Sequence, residues 1–488
     1  MESIKRKKEP KPVVVAQFGE GNFLRAFADY MIDIANEKGV FEGGVAVIKP
    51  IASGTLEDFY EQQNVYTVIL RGLQGGKKVQ EHRVINSISQ VIDPFADYAA
   101  YLELAKSEKL RFIISNTTEA GIAYDETDKF EIQPANSFPG KLTQFLFARY
   151  EHFLGDGNKG LIILPAELVD QNGDKLLECV NKLISLWGLP VGFRQWVEQS
   201  CIFCNCLVDR IVSGYPADEA QELQQSLLGY TDKLMVVGEP FGLWVIQSKQ
   251  HKYVEEQFGL NKAGMPLVFT DDLRPYRERK VRLLNGSHTA SALLAYLCGL
   301  DTVGQAMAEP KMRALIKKIM YDEVAPTVPL PIDEVKAFAD SVIERFENPF
   351  IRHELLSISL NSVSKWAVRV LPSLKDSLAT KGVLPECLVF SLAALATFYR
   401  SKTRGKDCLV GRRGEDTYEI RDDSHVLDFF AENAEKPNSH FAKALLSNTA
   451  MWGEDLTKIE GMNQQLIHYL DIIEQKGIHK VLELLQKD

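Results

Sequence analysis

Four short, almost wholly apolar runs constrain this chain more than any other feature. They are Val-Val-Val-Ala-Gln at residues 13–17, Gly-Val-Ala-Val-Ile at 44–48, Arg-Phe-Ile-Ile-Ser at 111–115 and Gly-Leu-Ile-Ile-Leu at 160–164. They are rich in β-branched residues and lack the polar alternation of a half-exposed strand, which marks strands buried on both faces. Between them lie stretches of helical spacing, such as residues 22–35 with Phe23, Phe27, Met31 and Ile34. Strands alternating with helices build βαβ units, so the first half is expected to be a Rossmann-like α/β domain with a mostly parallel sheet. Past about residue 275 the strand-like runs nearly vanish. Helical segments at 289–297, 311–321, 334–346 and 388–400 take over. The expected organisation is an α/β domain over 1–270 and an all-α C-terminal domain over 271–488.

Composition narrows the function classes. The 45% hydrophobic and 25% charged content is that of an ordinary globular chain, which excludes a disordered or fibrous one. A formal charge of −10 argues against a broad nucleic-acid surface. The apolar run at 387–399 is too short and mixed to cross a bilayer. Lysines and arginines near the N-terminus are not followed by an apolar stretch, so a solvated tail is expected rather than a secretory signal. Seven cysteines, odd in number and sparse, suit reduced thiols in a cytoplasmic protein. Cys201, Cys204 and Cys206 cluster, but without a fourth ligand the expectation is a buried strand and no metal.

The run at 13–17 leads into Phe18-Gly19-Glu20-Gly21 and then a helix. Gly19 permits a tight turn, and Gly21 lets the backbone approach a pyrophosphate at the helix N-terminus. Leu24 stands where a third glycine is usual. The second strand ends in Ile48-Lys49-Pro50, without the acid that accepts ribose hydroxyls in NAD-binding folds. Lys49 is either a contact for a 2′-phosphate or a surface lysine. Ser115-Asn116-Thr117-Thr118-Glu119-Ala120-Gly121 leaves another strand at its carboxyl end, as a turn or as a nicotinamide-ribose contact.

Lys280, Asn285 and His288 open the helical half. A desolvated lysine can shuttle a proton, an asparagine amide can stabilise an oxyanion, and a histidine can orient a hydroxyl. In one straight α-helix Lys280 and His288 lie about 12 Å apart along the axis. A shared site therefore needs long reach or a bend near Asn285-Gly286. An exposed lysine, a capping Asn-Gly and a satisfied histidine are the alternative.

In this order, Gly19-x-Gly21-x-Phe23-x-Arg25-Ala26, the 115–121 run, Val208-Asp209-Arg210-Ile211 and Lys280-x4-Asn285-x2-His288 resemble the mannitol dehydrogenase family, the polyol-specific long-chain dehydrogenases. The resemblance implies metal-independent, NAD-dependent oxidation of a secondary alcohol. In its light Lys280 is the acid–base residue, Asn285 the oxyanion donor and His288 the substrate-orienting group. Asp209 is the aspartate near the substrate. Phe18, Gly19, Glu20, Gly21, Asn22, Phe23, Leu24, Thr117 and Glu119 line the cofactor, which is NAD despite Lys49.

Two departures matter. Leu168 stands where polyol-oxidising members carry an asparagine that helps hold the oxyanion, with Asn172 as a nearby substitute. Arg277 stands where mannitol dehydrogenases carry a glutamate. With Lys365 and Arg369, four apart on one helical face, Arg277 is a candidate to pair with a substrate carboxylate. The expected substrate is therefore a small sugar acid, as in the members that interconvert D-altronate and D-tagaturonate in hexuronate catabolism. Oxidoreductases acting on fructuronate or mannitol are the enzyme alternatives. A non-catalytic NAD-binding sensor is the alternative of another class.

Overall fold

The computed structural model describes residues 1–118 and 120–485. It divides into two compact units, residues 1–71 with 78–273 and residues 72–77 with 274–488. Glu119, expected at the cofactor, lies outside the described residues.

In the first unit six parallel strands form one sheet. They are β1 (Val13–Phe18), β2 (Gly44–Ile48), β3 (Ile88–Ile92), β4 (Phe112–Ser115), β5 (Ile162–Pro165) and β6 (Ile202–Phe203). Their order across the sheet is β3-β2-β1-β4-β5-β6, all neighbours running parallel. This is the doubly wound order, and it reverses direction between β1 and β4, opening a crevice at their carboxyl ends. Successive side chains enter opposite cores. Val15, Val47 and Ile114 pack on one face, while Ala16, Phe18, Ile48 and Ile113 pack on the other. Each fully buried Val, Ile or Phe stabilises by roughly 1.5–3 kcal/mol, which is why the runs carry no polar alternation. A second, three-stranded sheet pairs β7 (Asn205–Asp209) antiparallel with β8 (Leu243–Gln247), and β8 parallel with β9 (Leu267–Thr270). Cys201, Cys204 and Cys206 are buried here, and burial pushes the Cys201 and Cys204 thiols up to about 12. They are core side chains held in the thiol form.

The helical stretch expected over 22–35 is broken. It forms α1 (Asn22–Ala26) and α2 (Ala28–Glu37), with Phe27 between them at φ −124°, ψ −81°. The carbonyls that would carry the helix across are taken by distant donors. The Tyr66 hydroxyl donates to the Arg25 carbonyl at 2.9 Å, and the Arg210 guanidinium donates to that of Ala26.

The second unit is mainly helical, including α4 (Arg274–Arg279), α5 (Ser287–Leu297), α6 (Ile332–Phe346), α7 (Ser362–Arg369) and α8 (Glu386–Tyr399), with α3 (Asn172–Leu186) belonging to the first unit. It is not wholly α. A hairpin of β10 (Leu409–Arg413) and β11 (Asp416–Ile420) is built into it. Its turn is too short, and its apolar face too narrow, to stand out as a strand run. Gly411 is required there, because a Cβ would come within 2.3 Å of the Tyr418 ring. No helix among the described residues is long and apolar enough to cross a membrane.

Candidate active site

The turn after β1 is held by a network of its own. Gly19 adopts φ +126°, and a Cβ there would sit 3.0 Å from the Asn116 carbonyl oxygen, so only glycine fits without strain. A Cβ at Gly21 would meet nothing within 4 Å. One glycine is thus imposed by crowding, while the other faces open space where a pyrophosphate has room to approach. Arg25 shapes the turn from below. Its guanidinium donates to the Glu20 carbonyl at 3.1 Å, the Asn22 Oδ1 at 2.6 Å and the Leu234 carbonyl, with the Tyr66 ring 5.3 Å away. Burial lowers its pKa, a cost that these acceptors offset. Gln17 donates to the Gly19 carbonyl at 3.1 Å and to Asp29 at 3.2 Å.

Phe18 and Leu24 point into the core, so only their backbones are available to a ligand. Phe23 stacks on Phe27 with ring centroids 4.9 Å apart. Thr117 lies across the crevice, beyond β4. Its backbone N–H and hydroxyl both donate to Glu167 Oε1, at 2.9 and 3.0 Å, and Ser115 Oγ donates to Oε2 at 3.0 Å. Burial raises the Glu167 carboxyl above its usual range. Thr118 is held at φ +76° beside this anchor. Glu167 therefore fixes the polar loop in place. From the sequence only its neighbour Leu168 was singled out.

Asn172 is not a substitute oxyanion donor. Its Nδ2 contacts the carbonyls of Pro165, Glu167 and Cys206, each at 3.0 Å, and its Oδ1 accepts from Cys206 N at 2.8 Å and Gly173 N at 3.0 Å. Buried and fully engaged, it is a strut at the start of α3. Leu168 is 64% exposed. Lys49 is not a surface lysine either. It is buried, with Nζ 2.9 Å from Asp93 Oδ2 and 3.1 Å from the Ala52 carbonyl. Asp209 is buried at the end of β7. The adjacent Arg210 donates to the carbonyls of Phe241 and Pro240 as well as Ala26.

In the second unit, Lys280 begins a π-helical turn, Lys280–Gly286, between α4 and α5. Residues five apart on an α-helix point about 140° away from each other. A π turn closes i to i+5 and brings them one above the other. Lys280 and Asn285 thereby share a face, and His288 follows one α turn on. The expected bend near Gly286 is instead a widening of the helix over the whole segment. Three buried polar atoms there have no hydrogen-bond partner: Asn285 Oδ1, Ser287 Oγ and His288 Nε2. Unpaired buried polar groups cost about 1–3 kcal/mol each, so such a cluster is a candidate place for a ligand's polar atoms.

His288 stacks on Phe346 with centroids 4.0 Å apart and meets His353 edge-on at 5.1 Å. Burial, then the charges of His353, Arg345 and Arg369, hold it well below the usual histidine range. It is a neutral, clamped ring. Phe346, His353 and Arg345 were not singled out from the sequence, because nothing in their spacing ties them to residue 288.

Arg369 closes α7 beside this turn. A Cβ at Gly286 would lie 2.9 Å from the Arg369 carbonyl oxygen, so the glycine sets the approach of the two segments. Lys365, one turn earlier, donates to the Ile358 carbonyl at 3.1 Å. Burial and then Arg369 lower its pKa. Burial also lowers that of Arg369, which is half-buried and makes no hydrogen bond or ion pair with a described residue. Arg277 is half-buried on α4.

A doubly wound sheet with a glycine turn at its switch point, in one chain with a helical unit carrying a lysine, an asparagine and a histidine, defines a dehydrogenase class of NAD-type dinucleotide fold. The mannitol dehydrogenase Rossmann domain matches residues 13–258, and the mannitol dehydrogenase C-terminal domain matches residues 272–474. The chain belongs to the mannitol dehydrogenase family. It is 44% identical to altronate oxidoreductase of Bacillus subtilis (strain 168) over 475 residues, 97% of this chain and 95% of that one. Its fold is similar to that of a D-sorbitol dehydrogenase in substrate-free form, with a TM-score of 0.77, 20% identity and coverage of 99% and 100% of the two chains. It is also similar to Pseudomonas fluorescens mannitol 2-dehydrogenase in complex with NAD and D-mannitol, with a TM-score of 0.63, 22% identity and coverage of 98% and 95%.

Proposed function

We propose that this chain is an NAD-dependent, metal-independent sugar-acid dehydrogenase that interconverts D-altronate and D-tagaturonate in hexuronate catabolism, in the cytoplasm. The choice of sugar acid follows the altronate oxidoreductase to which the chain is 44% identical. The observation that carries the acid is Arg369. It is a half-buried guanidinium beside the π turn with no anion of its own among the described residues. A planar guanidinium in that state suits a carboxylate, which it can hold through two parallel hydrogen bonds.

Residues 1–270 hold the cofactor and residues 271–488, with Asp209, supply the groups for the substrate. Gly19, Glu20, Gly21, Asn22 and Phe23, with the backbones of Phe18 and Leu24, would cradle the pyrophosphate, and Thr117 would meet the nicotinamide ribose; Glu119, expected there from the sequence, lies outside the described residues. Bound NAD supplies the hydride acceptor, and NADH the donor. In reduction, the ketone carbon gains the hydride while the Lys280 ammonium gives a proton to the ketone oxygen. The Asn285 amide donates a hydrogen bond to that oxygen as its charge grows, which is where such a bond is worth most. Neutral His288 orients a neighbouring hydroxyl, and Asp209 accepts from one. Arg369 anchors the carboxylate, assisted by Lys365 and Arg277. In oxidation Lys280, deprotonated, takes the hydroxyl proton as the hydride leaves.

The test is the loss of NADH absorbance with tagaturonate, fructuronate and fructose in parallel. Turnover with tagaturonate well above the other two is expected. A preference for fructuronate moves the assignment to that sugar acid, and a preference for fructose removes the carboxylate role. No turnover with any of them, with NADH still bound, means a nucleotide sensor on a dehydrogenase fold.

A further inference from the structure

The outer half of the parallel sheet carries a charge arrangement that the strand-2 sequence does not suggest. β1, β2 and β3 are neighbours, and their ladder runs one step past each strand end. Gly19 N donates to the Ile48 carbonyl at 3.1 Å, and Lys49 N donates to the Ile92 carbonyl at 3.0 Å. Glu20, Lys49 and Asp93 therefore follow three adjacent parallel strands at the same, carboxyl end of the sheet. In a dinucleotide fold the residue at the end of strand 2 meets the adenosine ribose, where an acid accepts the 2′-hydroxyl and a basic group receives a 2′-phosphate.

Here that residue is a lysine, but it is already engaged. Its ammonium has three donors. One goes to Asp93 Oδ2 at 2.9 Å and another to the Ala52 carbonyl at 3.1 Å, and its side chain is only 5% exposed. Asp93 is the more accessible partner, with its side chain 23% exposed. It is fixed in turn, because its Oδ1 accepts from Phe95 N at 2.9 Å. Glu20, in the glycine turn, lies close enough for its charge to act with both, and its Oε2 is buried without a partner.

We infer that Asp93, one strand removed from the usual ribose acid, sets the cofactor preference. It holds Lys49 away from any 2′-phosphate and offers its own carboxylate to the ribose side. The result is selection of NAD over NADP by a borrowed acid. This inference rests on the dinucleotide reading above.

The experiment is fluorescence titration of NADH and of NADPH with the full chain and no sugar acid, so that binding is read apart from turnover. The wild type should bind NADH more tightly. Asp93→Asn keeps an oxygen for Phe95 N but releases Lys49, and it should move the affinity ratio towards NADPH by about tenfold. Adding Lys49→Met to Asp93→Asn should abolish that gain, since the freed cation is then gone. A melting scan checks that each variant is folded, and Asp93→Ser is the second route should Asp93→Asn not fold. An unchanged ratio in a folded Asp93 variant overturns the inference, as does a gain that survives loss of Lys49. A wild-type chain that binds neither nucleotide is a different result, because it overturns the dinucleotide reading itself.

Discussion

The turn after β1 and the π turn before α5 each carry a run of polar residues, yet they treat their polar atoms in opposite ways. Around Gly19–Ala26, Arg25, Gln17, Tyr66 and Arg210 occupy carbonyl after carbonyl, so what is left facing outward is bare backbone. Around Lys280–His288, three buried side-chain atoms are left without partners. The first segment is suited to something every cofactor molecule shares, a phosphate that backbone N–H groups can cradle. The second, in the function proposed above, meets one particular arrangement of hydroxyls and a carboxylate, which only side chains can read. Recognition by backbone tolerates little change in geometry, and recognition by side chains tolerates little change in chemistry.

That contrast can be broken by substitution. Lys280→Ala removes the proposed proton donor and should lower kcat by about a thousandfold while NADH affinity stays within a few-fold, read by single-turnover kinetics beside a nucleotide titration. Loss of both together would make the π turn part of the cofactor seat. Arg369→Leu should cost about 2 kcal/mol in kcat/KM, roughly thirtyfold, for tagaturonate and almost nothing for fructose. An equal loss with both would mean that Arg369 only shapes the site. Gly286→Ala should displace the Arg369 backbone and lower kcat/KM for tagaturonate by about tenfold, chiefly through KM. If kcat falls and KM holds, the glycine serves the π turn rather than Arg369.

The smallest effect lies in the first unit and is one of stability. Burial raises the Asp29 carboxyl to about 7, with partial relief from Gln17, Arg25 and Tyr66. A carboxyl raised on folding contributes stability that is present at low pH and lost as pH rises through that value. Asp29→Asn mimics the protonated acid and still accepts from Gln17 and Tyr66. It should therefore raise Tm by a few degrees at pH 8 and by clearly less at pH 5, which already lies above the unfolded value, by thermal scans at both values. A larger gain at pH 5 would reverse the assignment.

Four of the six parallel strands were legible, because a strand covered on both faces is almost wholly apolar and the runs at 13–17, 44–48, 111–115 and 160–164 are; Ile88–Ile92, with Ser89 and Gln90 inside it, and the two-residue Ile202–Phe203 gave no such run. Lys280, Asn285 and His288 were legible as a spacing but not as a site, since α and π turns use the same residues and differ only in which amide reaches which carbonyl. The break at Phe27 depends on Tyr66 and Arg210, which are 41 and 184 residues from the carbonyls they take. No local pattern encodes partners so distant. Asn172 misled for the same reason. Its lone amide in a polar loop looks available until Cys206, 34 residues on, is seen to occupy it. Lys49 could be read only as a contact for a 2′-phosphate or as a surface lysine, because the carboxylate that holds it follows a different strand.

Arg210 ties the end of β7 to the last turn of α1, with one guanidinium spanning the carbonyls of Ala26, Phe241 and Pro240. Its neighbour Asp209 therefore cannot drift independently of the glycine turn. The brace works as a mechanical gauge. Any displacement of the glycine turn and α1 is thereby passed to the end of β7, where Asp209 sits.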